Sequence, residues 1–208
     1  MQTQAVDEVL VATDDQRILN AVEKFGGKAV LTSTEHKTGT DRIVEALSGH
    51  SCDWVLNIQG DEPLVLPSDL ERLIRKAQHT EGTKAATLIF KITDEAKLHD
   101  PNVVKVTLNQ SSQALYFSRS MIPFPRAPQT SNFSIWHHLG VYLFKRDFLM
   151  QFHQWPQSPL EQTEQLEQLR ILENGETLLC VEAENEGVGV DVPQDVMYAE
   201  KMLKRQNI

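Results

Sequence analysis

The shortages in this 208-residue sequence narrow its meaning first. It holds only two cysteines, Cys52 and Cys180, with neither metal-ligand spacing nor a nearby partner, which argues against a disulfide scaffold or a cysteine zinc site. Both read as small core residues in a reduced compartment, which suggests the cytosol. No apolar run approaches the roughly 20 residues that cross a bilayer. The opening Met1-Gln2-Thr3-Gln4-Ala5-Val6-Asp7 has neither the basic start nor the apolar stretch of a secretory signal. Basic blocks are missing too. With 20 Lys and Arg against 29 Asp and Glu, the formal net charge is −9, so a nucleic-acid partner, which needs clustered cations, is disfavoured. An acidic chain can still bind a small anionic nucleotide through a few local basic groups and a metal. The remainder, 40% hydrophobic and 24% charged, is ordinary for a globular chain, and residues 1–208 are expected to form a single domain.

Short apolar runs alternate with helical stretches in the first half. Val9 to Ala12, Lys28 to Leu31 and Trp54 to Ile58 read as strands. Asp15 to Phe25, Gly39 to Leu47 and Pro67 to His79 read as helices, the first closed by Gly26-Gly27 and the last opened by proline. Apolar strands joined by helices predict an α/β fold with a mostly parallel sheet and helices on both faces. The middle is richer in β-structure: Ala86 to Phe90, Val103 to Val106, Ala114 to Phe117 and Trp136 to Phe144. A proline-rich loop, Ile122 to Asn132, interrupts it. Ser158-Pro159-Leu160-Glu161 is a capping box, and Leu166, Leu169 and Leu172 share one face of the helix expected up to Gly175. Leu178 to Val181 predicts a strand and Pro193 to Arg205 a final helix.

Several clusters could carry chemistry. In Asn57-Ile58-Gln59-Gly60-Asp61-Glu62-Pro63 an acid follows a parallel strand, where such sheets bind ligands and where an Asp can hold Mg²⁺. Taken alone, turn capping explains Asp61 more simply. Asp191, in Gly187-Val188-Gly189-Val190-Asp191-Val192-Pro193, has the same setting, with helix capping as its plain alternative. Two such carboxylates could meet on one metal and clamp a triphosphate. Thr38-Gly39-Thr40-Asp41-Arg42 opens a helix and offers donors to a nucleotide, or is ordinary capping by Thr38 or Thr40. Arg119 leaves a strand and could fork onto a carboxylate, although a surface ion pair is commoner. Of His137 and His138, at most one should enter a site, since strand neighbours face opposite ways. Glu167 and Gln168 lie off the leucine face, where a solvated helix surface explains them most simply.

In their order, these runs resemble the 3-deoxy-manno-octulosonate cytidylyltransferase (CMP-Kdo synthetase) family. The likeness extends through His36 to Arg42, Asn57 to Leu64, Asn102 to Val106, Tyr116 to Pro123, Leu166 to Arg170 and Gly189 to Asp191. It implies a Rossmann-like nucleotidyltransferase fold with a smaller β-rich portion for dimerisation and sugar binding. It also implies a cytoplasmic homodimer and transfer of CMP from CTP to Kdo, with release of pyrophosphate, for lipopolysaccharide synthesis. By position, Asp61 and Asp191 match magnesium-binding, catalytic aspartates. Gln59, Arg119, His138, Tyr142, Glu167 and Gln168 match sugar-site positions, and Thr40 and Arg42 fall beside the cytidine. Nucleic acid and membrane are not expected partners.

The family pattern begins with a strand and a basic glycine loop, P-A-R-x-x-S-x-R-L-P-G-K-P-L, with no counterpart here. The chain is therefore expected to be N-terminally truncated relative to the family, with unpaired strand edges. Two other readings stay open: a different acid-sugar cytidylyltransferase, such as the sialate type, or a non-catalytic remnant.

Overall fold

The computed structural model describes residues 3–36, 38–126, 134–187, 189–190 and 193–205. A βαβ unit comes first. Strand β1 (Val11–Thr13) leads through helix α1 (Gln16–Lys24) to β2 (Ala29–Leu31), which pairs with β1 in parallel. The Asp15 carboxylate caps α1 by accepting from the Arg17 N–H at 2.7 Å, and Gly26, at φ 82°, turns the chain out of the helix. Then follow α2 (Gly39–Ala46), β3 (Trp54–Ile58) and α3 (Pro67–His79). Pro67 stands at the first helical turn, as the sequence predicts.

The main sheet joins β3 to β4 (Ala85–Lys91), β5 (Lys105–Leu108), β6 (Ala114–Ser118), β7 (Trp136–Lys145) and β8 (Leu179–Glu182). β4 and β8 pair in parallel, whereas β7 runs antiparallel to β3, β4 and β5, and β6 antiparallel to β5. β3, β4, β5 and β8 therefore keep the common direction expected of the sheet. The reversed β7 lies among them, so its ladders are antiparallel. A buried strand reads alike in either direction, so the sequence pattern could not reveal this insertion. Among the described residues, β1 and β2 pair with each other and β3 with β7 alone.

Helices cover both faces because side chains alternate along β4. Ala86 and Leu88 pack with Leu70, Leu73, Ile74 and Ala77 of α3. Ala85 and Ile89 face Phe148, Leu149 and Phe152 of α5 (Arg146–Gln154) and Leu169 and Ile171 of α7 (Leu169–Glu173). Each of the Leu, Ile and Phe side chains contributes about 1.5–3 kcal/mol by leaving water. The helices over 146–154 and over α4 (Glu95–His99) are not among the expected elements. α8 (Pro193–Arg205) has the expected limits.

One helix was expected from Ser158 to Gly175; the structure has two. The Ser158–Glu161 capping box opens α6 (Pro159–Glu164), as predicted, but Gln165 at φ 55°, ψ 48° ends it after six residues. The chain then turns and restarts as α7, and Gly175, at φ 75°, follows its end. That break redirects residues 165–168 and thereby shapes the site.

Candidate active site

β7 organises the site through its changing neighbours. Its C-terminal half pairs with β3, from Ile58 opposite Val141 to Trp54 opposite Lys145. Its beginning pairs with β5, at Trp136 and His137. β3 and β5 thus lie end to end along one side of β7, and their registers skip His138, Leu139 and Gly140. On the other side β4 sets Thr87 opposite Tyr142 and Ile89 opposite His138. One residue of β4 therefore faces three of β7, a bulge at 139–141. A strand whose neighbours part beside the C-terminal end of β3 is the type of place where open α/β sheets bind ligands.

Gln59 leaves β3 at this gap and lies across Gly140. A Cβ on residue 140 would come within 3.3 Å of the Gln59 side-chain amide, so the glycine makes the room. His138 and Tyr142 share the face beside it, with ring centroids 5.2 Å apart. An aromatic column continues through Phe144 and Phe152 of the core. His138 is 7% exposed, and burial, with His137 beside it, pushes its pKa down to about 3. The ring is neutral. Its Nε2 lies 3.1 Å from Thr87 Oγ1 and its Nδ1 3.5 Å from Gln168 Nε2, so both nitrogens face protein partners. Burial raises the Tyr142 phenol, which stays protonated. His137 points the opposite way, to Glu186 at 3.1 Å, in keeping with one histidine per face.

Gln168 is not on a solvated surface, and Glu167 is half-buried. The turn at Gln165 carries both inward, and Gln168 is 4% exposed. Glu167 Oε2 accepts from Thr40 Oγ1 at 2.6 Å, while Arg170 NH2 approaches Glu167 Oε1 at 3.4 Å. Burial raises the Glu167 pKa, opposed by the Thr40 hydrogen bond and by Arg170. Arg170 is itself buried. It grips Glu161 with two N–H groups, at 2.7 and 2.5 Å, and its guanidinium carbon lies 4.9 Å from the Phe152 ring centroid. Thr38, not Thr40, caps α2 in a reciprocal box with Asp41, which leaves the Thr40 hydroxyl for Glu167. The segment expected beside a nucleotide is thereby tied to the one expected beside a sugar.

Arg119 follows β6. Its Nε donates to the Glu164 carbonyl at 2.8 Å and its NH1 to the Pro101 carbonyl at 2.9 Å, with NH2 3.4 Å from the Gln165 carbonyl. Carbonyls, rather than the carboxylate of a surface ion pair, hold this guanidinium. Lys105, fully buried, supports the same corner by donating to the carbonyls of Asp100, Val103 and Arg119. Arg42 stands apart: NH1 donates to Thr32 Oγ1 and NH2 to Asp14 Oδ2, each at 2.7 Å, fastening α2 to the ends of β1 and β2.

Asp61 sits in the turn after β3, where the Glu62 N–H donates to the Gln59 carbonyl at 3.1 Å. Its own carbonyl accepts from the Val190 N–H at 2.8 Å, so the two acid-bearing segments touch. Asp191 lies outside the described residues. Asp61 Oδ1 is buried without a hydrogen-bond partner. A buried carboxylate oxygen of that kind fits a hard cation, which takes one or two carboxylates together with substrate phosphates. No cluster of three His, Cys, Asp or Glu suited to a metal occurs among the described residues.

The cytidylyltransferase family model matches residues 1–178. The 3-deoxy-manno-octulosonate cytidylyltransferase of Escherichia coli is 42% identical over 193 residues, 93% of this chain and 77% of that one. The chain belongs to the 3-deoxy-manno-octulosonate cytidylyltransferase family. The relative of the same name from Solibacter usitatus (strain Ellin6076) is 40% identical over 94% of this chain and 77% of its own length. A solved CMP:2-keto-3-deoxy-manno-octonic acid synthetase complexed with CTP superposes with a TM-score of 0.91 at 39% identity. The alignment covers 99% of this chain and 84% of that one. The 4-diphosphocytidyl-2C-methyl-D-erythritol synthase of Anaerococcus prevotii DSM 20548, 15% identical with a TM-score of 0.60 over 98% of this chain and 81% of that one, shares the fold. Family membership and the nucleotidyltransferase fold are thus as the motifs implied.

Thr87, Gly140, Lys105, Glu161 and Arg170 are not among the expected site residues. Two signals were available: a lone hydroxyl inside the apolar run 85–90, and a glycine inside a strand, which often marks a bulge.

Proposed function

We propose that this chain is a cytidylyltransferase that transfers CMP from CTP to 3-deoxy-D-manno-octulosonate (Kdo), releasing pyrophosphate. The observation that carries the reading is the gap between β3 and β5 at the β7 bulge, beside which Gln59, His138, Tyr142 and Gln168 gather in a chain of this family. An acidic sugar suits that chemistry: neutral polar groups would meet its hydroxyls, and Arg119 would supply a cation. The sugar's anomeric oxygen would form a bond to the α-phosphorus of CTP as the bond from that phosphorus to the bridging oxygen of pyrophosphate breaks. The hydroxyl proton is released. The chain's contribution is chiefly position and charge. Gln59 and Gln168 orient the sugar, Tyr142 donates as a neutral phenol, and the Thr40–Glu167 bond holds the nucleotide side against the sugar side.

Asp61 and Asp191 would hold Mg²⁺, the proposed cofactor. Bound there, it would neutralise phosphate charge and acidify the attacking hydroxyl. The orphaned Asp61 oxygen and the contact between Asp61 and Val190 support that assignment. A homodimer working in the cytoplasm and feeding lipopolysaccharide synthesis completes the reading. The test is direct: purified protein with CTP, Mg²⁺ and either Kdo or sialic acid, followed by pyrophosphate release. Release with Kdo alone is expected. Release with sialic acid alone, or with neither sugar, rejects the assignment.

A further inference from the structure

Thr87 lies in the middle of β4 with no exposed surface, opposite Tyr142 and beside the β7 bulge. Its hydroxyl reaches the Val141 carbonyl at 2.8 Å, the Leu139 carbonyl at 3.3 Å and His138 Nε2 at 3.1 Å. A hydroxyl carries one proton, and carbonyls can only accept. The proton therefore goes to the bulge carbonyls, chiefly that of Val141, and Thr87 Oγ1 must accept from the ring. That places the His138 proton on Nε2 and leaves Nδ1 as a lone pair. The group facing Nδ1, the Gln168 side-chain amide, must then donate. Each link has one allowed direction.

We propose that Thr87 is a positioning residue for sugar recognition: by setting the tautomer of His138 it sets the orientation of the Gln168 amide, whose oxygen then accepts from a hydroxyl of the acidic sugar. The proposal rests on the cytidylyltransferase reading above. It gives the bulge a purpose, since a regular ladder would pair the carbonyls that orient Thr87. It also makes His138 an orienting group and not a proton carrier, because neither nitrogen is left for the substrate. A valine at 87 keeps the shape but loses the acceptor. The ring would then have no reason to keep its proton on Nε2, and the amide could turn over.

The test compares wild type, Thr87→Val and Thr87→Ser. Long-range ¹H–¹⁵N correlation of the histidine rings at neutral pH reads the tautomer; steady-state kinetics reads each substrate. Wild type should show His138 as the neutral Nε2–H tautomer. Thr87→Val should lose that form and raise the sugar KM about tenfold, the worth of one hydrogen bond, with the CTP KM unchanged. Thr87→Ser should restore both. An Nδ1–H or protonated His138 in wild type overturns the proposal, even should Thr87→Val fail to fold. So does a Thr87→Val protein with wild-type tautomer and sugar KM, or one in which both KM values rise together. A wild-type chain that turns over no CTP would instead sink the function, while the tautomer comparison still decides what Thr87 does to the ring.

Discussion

On the β7 side of the site, His138, Gln168, Glu167 and Arg170 are bonded to protein partners, whereas on the β3 side Asp61 keeps a buried carboxylate oxygen with none. The first region is a closed network, and its members support one another and the fold. The second is an open corner, held by backbone contacts, with charge left over for a ligand. Side chains of the network should therefore matter to stability, and Asp61 to turnover alone.

The largest expected effect is on the open corner. Asp61→Asn should lower kcat roughly a thousandfold, about 4 kcal/mol of transition-state stabilisation, because the proposed cation would lose a charged ligand. Its melting temperature should hold or rise, since a buried orphan charge is removed. A fall of several degrees would show that Asp61 belongs to a network after all. Next comes Arg170→Met, which leaves Glu161 buried without its partner. A loss of about 3–5 kcal/mol in urea unfolding is expected, and a loss under about 1 kcal/mol would mean that the pair is solvent-relaxed.

The network should also respond to pH. The folded His138 pKa, about 3, lies below its ordinary 6.5, so the unfolded chain binds the extra proton between those values. Stability is complete above the upper value and declines as pH falls towards the lower one, by about 1.4 kcal/mol per pH unit. Burial lowers the His137 pKa too, in the same direction. Unfolding midpoints followed from about pH 7 to about pH 4 should fall more steeply for wild type than for His138→Asn. Equal slopes would remove His138 from the account.

The smallest effect lies on the seam between the regions. Gly140→Ala places a Cβ against the amide of Gln59, which is exposed and can yield. The sugar KM should rise about threefold, under 1 kcal/mol, with stability nearly unchanged. An unchanged KM would show that Gln59 does not touch the sugar.

Much of the fold was legible along the chain. Pro67 and Ser158-Pro159 announced helix starts through fixed backbone angles, and the strand at 54–58 stood out as an apolar run before a turn. Asp61 was legible for the same local reason, an acid just beyond a strand. Glu167 and Gln168 were misjudged because the helical period predicted a solvated face. The left-handed residue Gln165 breaks that period, and such a conformation at a non-glycine position leaves little mark in sequence. Thr87 and Arg170 were missed because their partners lie on other elements: Thr87 reaches β7, and Arg170 reaches back across the break between α6 and α7.

Local chemistry, by itself, determined most of the elements, the helix starts at Pro67 and Ser158, the α/β character and the family, because propensity, periodicity and motif order are written residue by residue. Tertiary structure alone decided that β7 runs backwards among β3, β4 and β5, that it bulges where β3 gives way to β5, and that His138 meets a threonine 51 residues earlier. Pairing direction, register and buried hydrogen-bond direction are relations between distant residues, and none of them exists until the strands meet.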